Sequence, residues 1–138
     1  MATQVFIDAY ARAFELYERS RKVGEAGYYD AAAFYMRKIL EVIADSFLAH
    51  YANVGIGWMF QQYCASRHRS SPSLDDKIDF LLEQNSIPQS SRSTYDAVRR
   101  YGNAAVHKPD YRENPRQHEA MMQSLAVELN AFYQMAMQ

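Results

Sequence analysis

Residues Tyr95 to His107 read Y-D-A-V-R-R-Y-G-N-A-A-V-H. Successive residues of a helix turn by about 100°. On that basis Tyr95, Val98, Gly102 and Ala105 share one face, which is apolar and small. Arg100, Asn103 and His107 lie on a second stripe, roughly opposite the first. The spacing therefore predicts a helix that packs by one side and carries an arginine, an amide and an imidazole on the other. Glycine inside a helix costs about 1 kcal/mol relative to alanine. Gly102 on the packing side is expected to let another helix come close, and Ala104 and Ala105 suit a tight crossing.

The flanking sequence supplies the other helices. The key helix is expected over 89–107, with Pro109 closing it. Before it, Ser73 and Asp76 form a near capping box at the start of L-D-D-K-I-D-F-L-L, residues 74–82. Leu74, Ile78, Leu81 and Leu82 point inward, and Pro88 ends that element by about Asn85. After the key helix, residues 110–113 form a polar connection. Asn114 caps a last helix that begins with Pro115, its apolar stripe being Met121, Met122, Leu125, Leu129, Phe132 and Ala136.

Towards the N-terminus, a helix over 3–23 carries Phe6, Tyr10, Phe14 and Tyr17 as its apolar stripe, with Gly24 and Gly27 bracketing a turn. A helix over 29–52 buries Ala32, Met36, Ile39, Leu40, Ile43 and Phe47, and sets Arg37 and Glu41 at i, i+4 in the less favoured charge order. The short turn makes these two helices antiparallel neighbours. A helix pair of this kind resembles a tetratricopeptide unit, but no second copy follows at a period of about 34 residues. Residues 53–72 form an inserted segment, with a short helix around Trp58 to Ser66 and a loop R-H-R-S-S-P-S. Its apolar cluster, Trp58 and Phe60 among it, packs on the bundle or faces a partner. Arg67 and Arg69 belong to a solvated loop or to a nucleic-acid contact. No segment alternates as a strand would. The expected fold is a single all-α domain over 1–138, a bundle of about five helices.

Composition narrows the function. The chain has 138 residues, 49% apolar, with net charge -1. A near-neutral chain lacks the broad cationic surface that sequence-independent duplex binding needs. The single cysteine, Cys64, cannot form an internal disulfide and suggests a reducing compartment. No apolar run is long enough for a membrane span and no signal peptide is apparent, so a cytoplasmic location is expected. No metal-ligand spacing and no phosphate-binding glycine loop occur, so no cofactor is expected.

The stripe of Arg100, Asn103 and His107 has the parts of a metal-independent ribonuclease. A base takes the ribose 2′-hydroxyl proton, the oxygen attacks phosphorus, and a cation stabilises the charge that develops. The same groups suit plain phosphate or nucleotide binding, or bonds to neighbouring helices or to a dimer mate. His50, His68 and His118 stand alone and read as structural or solvated.

Three motifs in order resemble the HEPN superfamily of small helical domains. The first is A-A-A-F-Y-M-R-K-I-L-E, residues 31–41, with Arg37 and Glu41 in an R-x-x-x-E core. The second is the short amphipathic helix at 74–82. The third is R-Y-G-N-A-A-V-H, residues 100–107, matching R-x-x-G-N-x-A-x-H. The closest branch is a domain of unknown function often fused to restriction-type helicases and other defence proteins. The resemblance implies a HEPN-like bundle that dimerises, tied to defence or toxin biology through RNA binding or cleavage. Arg100, Asn103 and His107 of two protomers would then form a composite site, with Arg37 and Glu41 in support. The alternative is a non-catalytic module that binds a protein or a nucleotide through its homodimer.

Overall fold

The computed structural model describes residues 3–107 and 115–138, with Val106 and His107 described by backbone alone. Among the described residues the chain is all helical. Six α-helices follow one another: α1 (Gln4–Glu25), α2 (Tyr29–Asn53), α3 (Trp58–Ser66), α4 (Leu74–Glu83), α5 (Arg92–His107) and α6 (Pro115–Ala136). One 3-10 turn, Gln89–Ser91, leads into α5, so the key helix starts three residues later than its pattern suggests.

Helix α2 is the hub: α1, α4, α5 and α6 all pack on it. Its Ala32, Ala33, Met36, Ile39, Leu40, Ile43 and Ala44 are completely buried. The alanines let neighbouring backbones approach, and the long side chains between them fill the core. The expected stripe on α1 is rotated. Phe6 is buried as expected, but the rest of the buried line is Ala9, Ala13, Leu16, Ser20 and Gly24. Phe14 is 47% exposed, and Tyr10 and Tyr17 only flank the core. Size explains the difference. Helices α1 and α2 meet along small residues, and Ser20 donates its hydroxyl to the Ala32 carbonyl at 2.9 Å. An aromatic stripe would hold them apart.

Gly24 does not end α1. The stop comes at Gly27, whose φ is +91°. There the Gly27 N–H bonds to the Gly24 carbonyl and the Tyr28 N–H to the Val23 carbonyl, both at 2.9 Å. That pair of bonds satisfies two of the last free carbonyls of the helix. Helix α2 ends the same way at Gly55, with φ +83°, and the Ile56 N–H on the Tyr51 carbonyl at 2.9 Å.

The inserted segment packs through aromatic rings. Helix α3 lies against α4, where Phe60 and Tyr63 each meet Phe80 edge-on at 5.2 Å. Tyr51 of α2 meets the same ring at 5.6 Å. Phe80 is thus a buried junction of three elements, which the leucine-based stripe of that helix did not include. Helix α4 starts on the full capping box of Ser73 and Asp76. It is tied to α2 by Lys77 on Asp45 at 2.9 Å and to α5 by Arg99 on Asp75. The expected cap at Asn114 and the connection at 110–113 lie outside the described residues. No helix among the described residues is long and apolar enough to cross a membrane.

Candidate functional site

Helix α5 buries Tyr95, Val98, Tyr101 and Gly102. A Cβ on Gly102 would stand 2.6 Å from Arg37 Cβ and 3.0 Å from the Ala33 carbonyl oxygen. Real side chains do not come so close, so the crossing of α5 on α2 requires glycine here. The consequence is functional as well as structural. The crossing brings Arg37 into contact with Gly102, so two motifs far apart in the chain meet there.

Around this crossing the polar groups divide clearly. Arg37 lays its aliphatic stem over Gly102, with Cδ 3.2 Å from the position a Cβ would take. Its head donates to Glu41 Oε1 at 2.7 Å, and both side chains remain about one-third exposed. The Nε of Arg37 is buried and has no acceptor among the described residues. Arg99 turns away to Asp75. Arg100 is exposed and makes no ion pair among the described residues. Asn103 is half-buried and makes no side-chain hydrogen bond among them. His107 is the last residue of α5, and its side chain lies outside the described residues. Arg37 therefore lies at the crossing and holds Glu41, Asn103 follows Gly102 on α5, and Arg100 is on the outer side of the same helix.

The second candidate set, on α3 and the loop after it, splits. Trp58 is 58% exposed. Phe60 turns inward onto Phe80. Arg67 lies over the Tyr63 ring at 3.7 Å and reaches Glu83 at 3.6 Å, and Arg69 reaches Asp76 at 3.6 Å. The basic run is thus matched by acids of α4 and is not a surplus of positive charge. Between these elements runs a cleft of about 480 Å³ lined by Tyr63, Arg67, Asp79, Glu83, Gln89 and Arg92. Burial pushes the Asp79 carboxyl above its ordinary range, although Arg92 opposes this. Burial likewise raises the thiol of Cys64.

His118 is neither solvated nor isolated. It is 9% exposed, packed over Gly24 of α1 and tilted against the Tyr29 ring at 5.4 Å. Its Nδ1 is buried without a hydrogen-bond partner among the described residues, and burial lowers its pKa. A lone histidine in the first turn of an amphipathic helix gives no hint of this, because the contact depends on a glycine near the other end of the chain. Among the described residues no three His, Cys, Asp or Glu side chains converge as a metal site would require.

No curated protein and no solved structure matches the chain. One family model does, a domain of unknown function, over residues 18–138. That span takes in the α2–α5 crossing, Arg100 and Asn103. The chain belongs to the DUF4145 family.

Proposed function

We propose that this protein is a HEPN-like RNA-binding domain that acts as a homodimer and cleaves RNA at the outer face of α5. The observation that carries the reading is the Gly102 crossing, which sets Arg37 against the residue that precedes Asn103, on the helix that also bears the exposed Arg100. An exposed arginine can take a phosphate, and its planar fork suits that role. Asn103 has donors and an acceptor to orient a ribose or a phosphate. His107 supplies the proton transfer. It removes the 2′-hydroxyl proton, the oxygen attacks the adjacent phosphorus, and the 5′-oxygen leaves with a proton. The products are a 2′,3′-cyclic phosphate and a 5′-hydroxyl. A second protomer related by a two-fold axis doubles the set of cations around one phosphate. A single buried thiol, Cys64, fits a reducing, cytoplasmic setting, and defence biology is the setting the family resemblance favours.

The test is cleavage of varied RNAs in excess EDTA by wild type, Arg100→Ala and His107→Ala, matched for folding and oligomeric state. Cyclic phosphate ends from wild type alone are the expected result. Equal cutting by all three proteins would sink the assignment. A specific observation favours a second reading, a non-catalytic protein-interaction or nucleotide-binding module. Trp58 stands exposed beside a cleft of about 380 Å³ that Met59, Tyr63 and Phe80 help to line. Dimeric wild type that binds a protein partner and cuts no RNA would support it.

A further inference from the structure

A cleft of about 390 Å³ opens where the end of α1 and the starts of α2 and α6 meet. That is the lower end of the range for small-ligand sites. Tyr17 and Arg21 of α1, Tyr29 of α2, and His118 and Glu119 of α6 line it, with Glu25 beside them. Helix geometry agrees. From Gly24, Tyr17, Arg21 and Glu25 lie about 20°, 60° and 100° round α1 in one direction. From His118, which packs on Gly24, Met122 and Glu119 lie about 40° and 100° round α6. The two sets border one side of the same contact. Lys22 and Arg116 lie about 160° round their helices and face away.

The charges here favour a cation. Arg21 is already held by Glu18 at 2.7 Å and by Glu25 at 2.9 Å. Among the described residues Glu119 makes no ion pair, and Gln123 reaches it only at 3.5 Å. Glu119 is the charge that acts on the His118 ring, and on Tyr17 the acid Glu18 outweighs Arg21. The helix ends do not reverse this. The positive start of α6 is met by the negative end of α1, and Asp30 in the first turn of α2 offsets that helix's positive end. In 108–114 the bases Lys108 and Arg112 match the acids Asp110 and Glu113.

The imidazole is a second, independent clue. It is 9% exposed, and its Nδ1 is buried without a partner among the described residues. Buried polar groups are rarely left unmet. Burial lowers the pKa of the ring, so near pH 7 it is neutral and one nitrogen accepts a hydrogen bond. An ammonium N–H supplies that bond, and tyrosine rings attract the same charge. An anion would meet Glu25 and Glu119 instead.

We infer that this cleft binds a small primary amine with an apolar body. The ammonium donates to the Glu119 carboxylate and to a ring nitrogen of His118, and the body lies against Tyr17, Tyr29 and Met122. The site does not use the α5 stripe and stands whether or not the protein cuts RNA.

The test is a titration of the isotope-labelled full chain with phenethylamine, followed by amide NMR shifts. Binding is expected at roughly millimolar affinity, fitting so small a ligand, with shifts around Gly24, Tyr29 and His118. Hydrocinnamate, an anion of the same size, is expected not to bind. Glu119→Gln should weaken amine binding roughly tenfold, the scale of one charge-assisted hydrogen bond. Glu119 is exposed, so the melting temperature should stay near that of wild type. Phenethyltrimethylammonium keeps the charge and lacks the N–H. Wild type should prefer the primary amine to it several-fold, and His118→Phe, which keeps a ring over Gly24, should reduce that preference. The Glu119 variant decides the matter if the phenylalanine variant folds poorly. No shifts with the amine, shifts confined to another region, or wild-type affinity in Glu119→Gln would each overturn the site. Equal binding of hydrocinnamate would overturn the choice of a cation.

Discussion

Gly24 and Gly102 each make room for a side chain from another helix, yet the two sites end differently. At Gly24 the guest is the His118 imidazole, and an added Cβ would overlap the ring. The ring is buried, and its Nδ1 meets no partner among the described residues. At Gly102 the guest is the stem of Arg37, whose head continues outward to Glu41 and solvent. One crossing confines a titratable group. The other leaves a guanidinium partly exposed at the surface. A glycine crossing by itself therefore says nothing of function; what matters is whether the guest's polar end escapes the interface.

The sharpest way to test this contrast is substitution at the two glycines. At Gly102 the obstacles are Arg37 Cβ and a backbone carbonyl at 3.0 Å, which cannot swing aside. Gly102→Ala is expected to destabilise by about 2 kcal/mol, overpacking outweighing the roughly 1 kcal/mol gained in helix propensity. Urea unfolding measures it, and a stabilised variant would show that α5 slides freely on α2. At Gly24 the obstacle is a ring that can rotate. Gly24→Ala is expected to cost about 1 kcal/mol. The cost should largely vanish in a His118→Ala background, the non-additivity a direct contact requires.

The two guests should also differ in their response to pH. Burial lowers the pKa of His118, so the folded state favours the neutral ring. Stability from this source is fully present above the unfolded value of about 6.5. It is lost as pH falls from there through the lower folded value, because the unfolded chain binds the proton first. The wild type should therefore lose stability relative to His118→Phe between about pH 7 and pH 5. A constant difference across that range would show that the imidazole titrates as it does in water.

Arg37 should separate stem from head. Arg37→Met keeps an unbranched stem over Gly102 and removes the guanidinium. Thermal stability is expected to change by less than about 1 kcal/mol, since an i, i+4 pair contributes only about 0.3–0.5 kcal/mol, while RNA binding falls. A large loss of stability with unchanged binding would make Arg37 purely structural. The smallest effect is expected at Trp58, whose exposure predicts a change within about 0.5 kcal/mol for Trp58→Ala. A larger loss would show that the ring packs on something its exposure does not suggest.

Much of this was legible in the residues. The capping box at Ser73, the short helix from Trp58 to Ser66 and the packing face of Tyr95, Val98 and Gly102 follow from spacing and local chemistry, which act within a turn or two. So did the pairing of Arg37 with Glu41 on one helix face. What misled was size: on α1 the aromatic residues look like the core, whereas the close approach of α2 selects Ala9, Ala13 and Ser20. Phe80 does not show in the spacing for a related reason, since its burial depends on rings of α3 and α2 arriving from elsewhere.

By itself the sequence determined the helical class, the order of the elements and the two polar motifs, because periodicity and caps are properties of neighbouring residues. Only the tertiary structure decided which residues meet. It set Gly102 on Arg37, Gly24 under His118 and the acids of α4 against Arg67, Arg69 and Arg99. Those contacts join residues distant in the chain, and their closeness depends on how near each pair of helix axes can come.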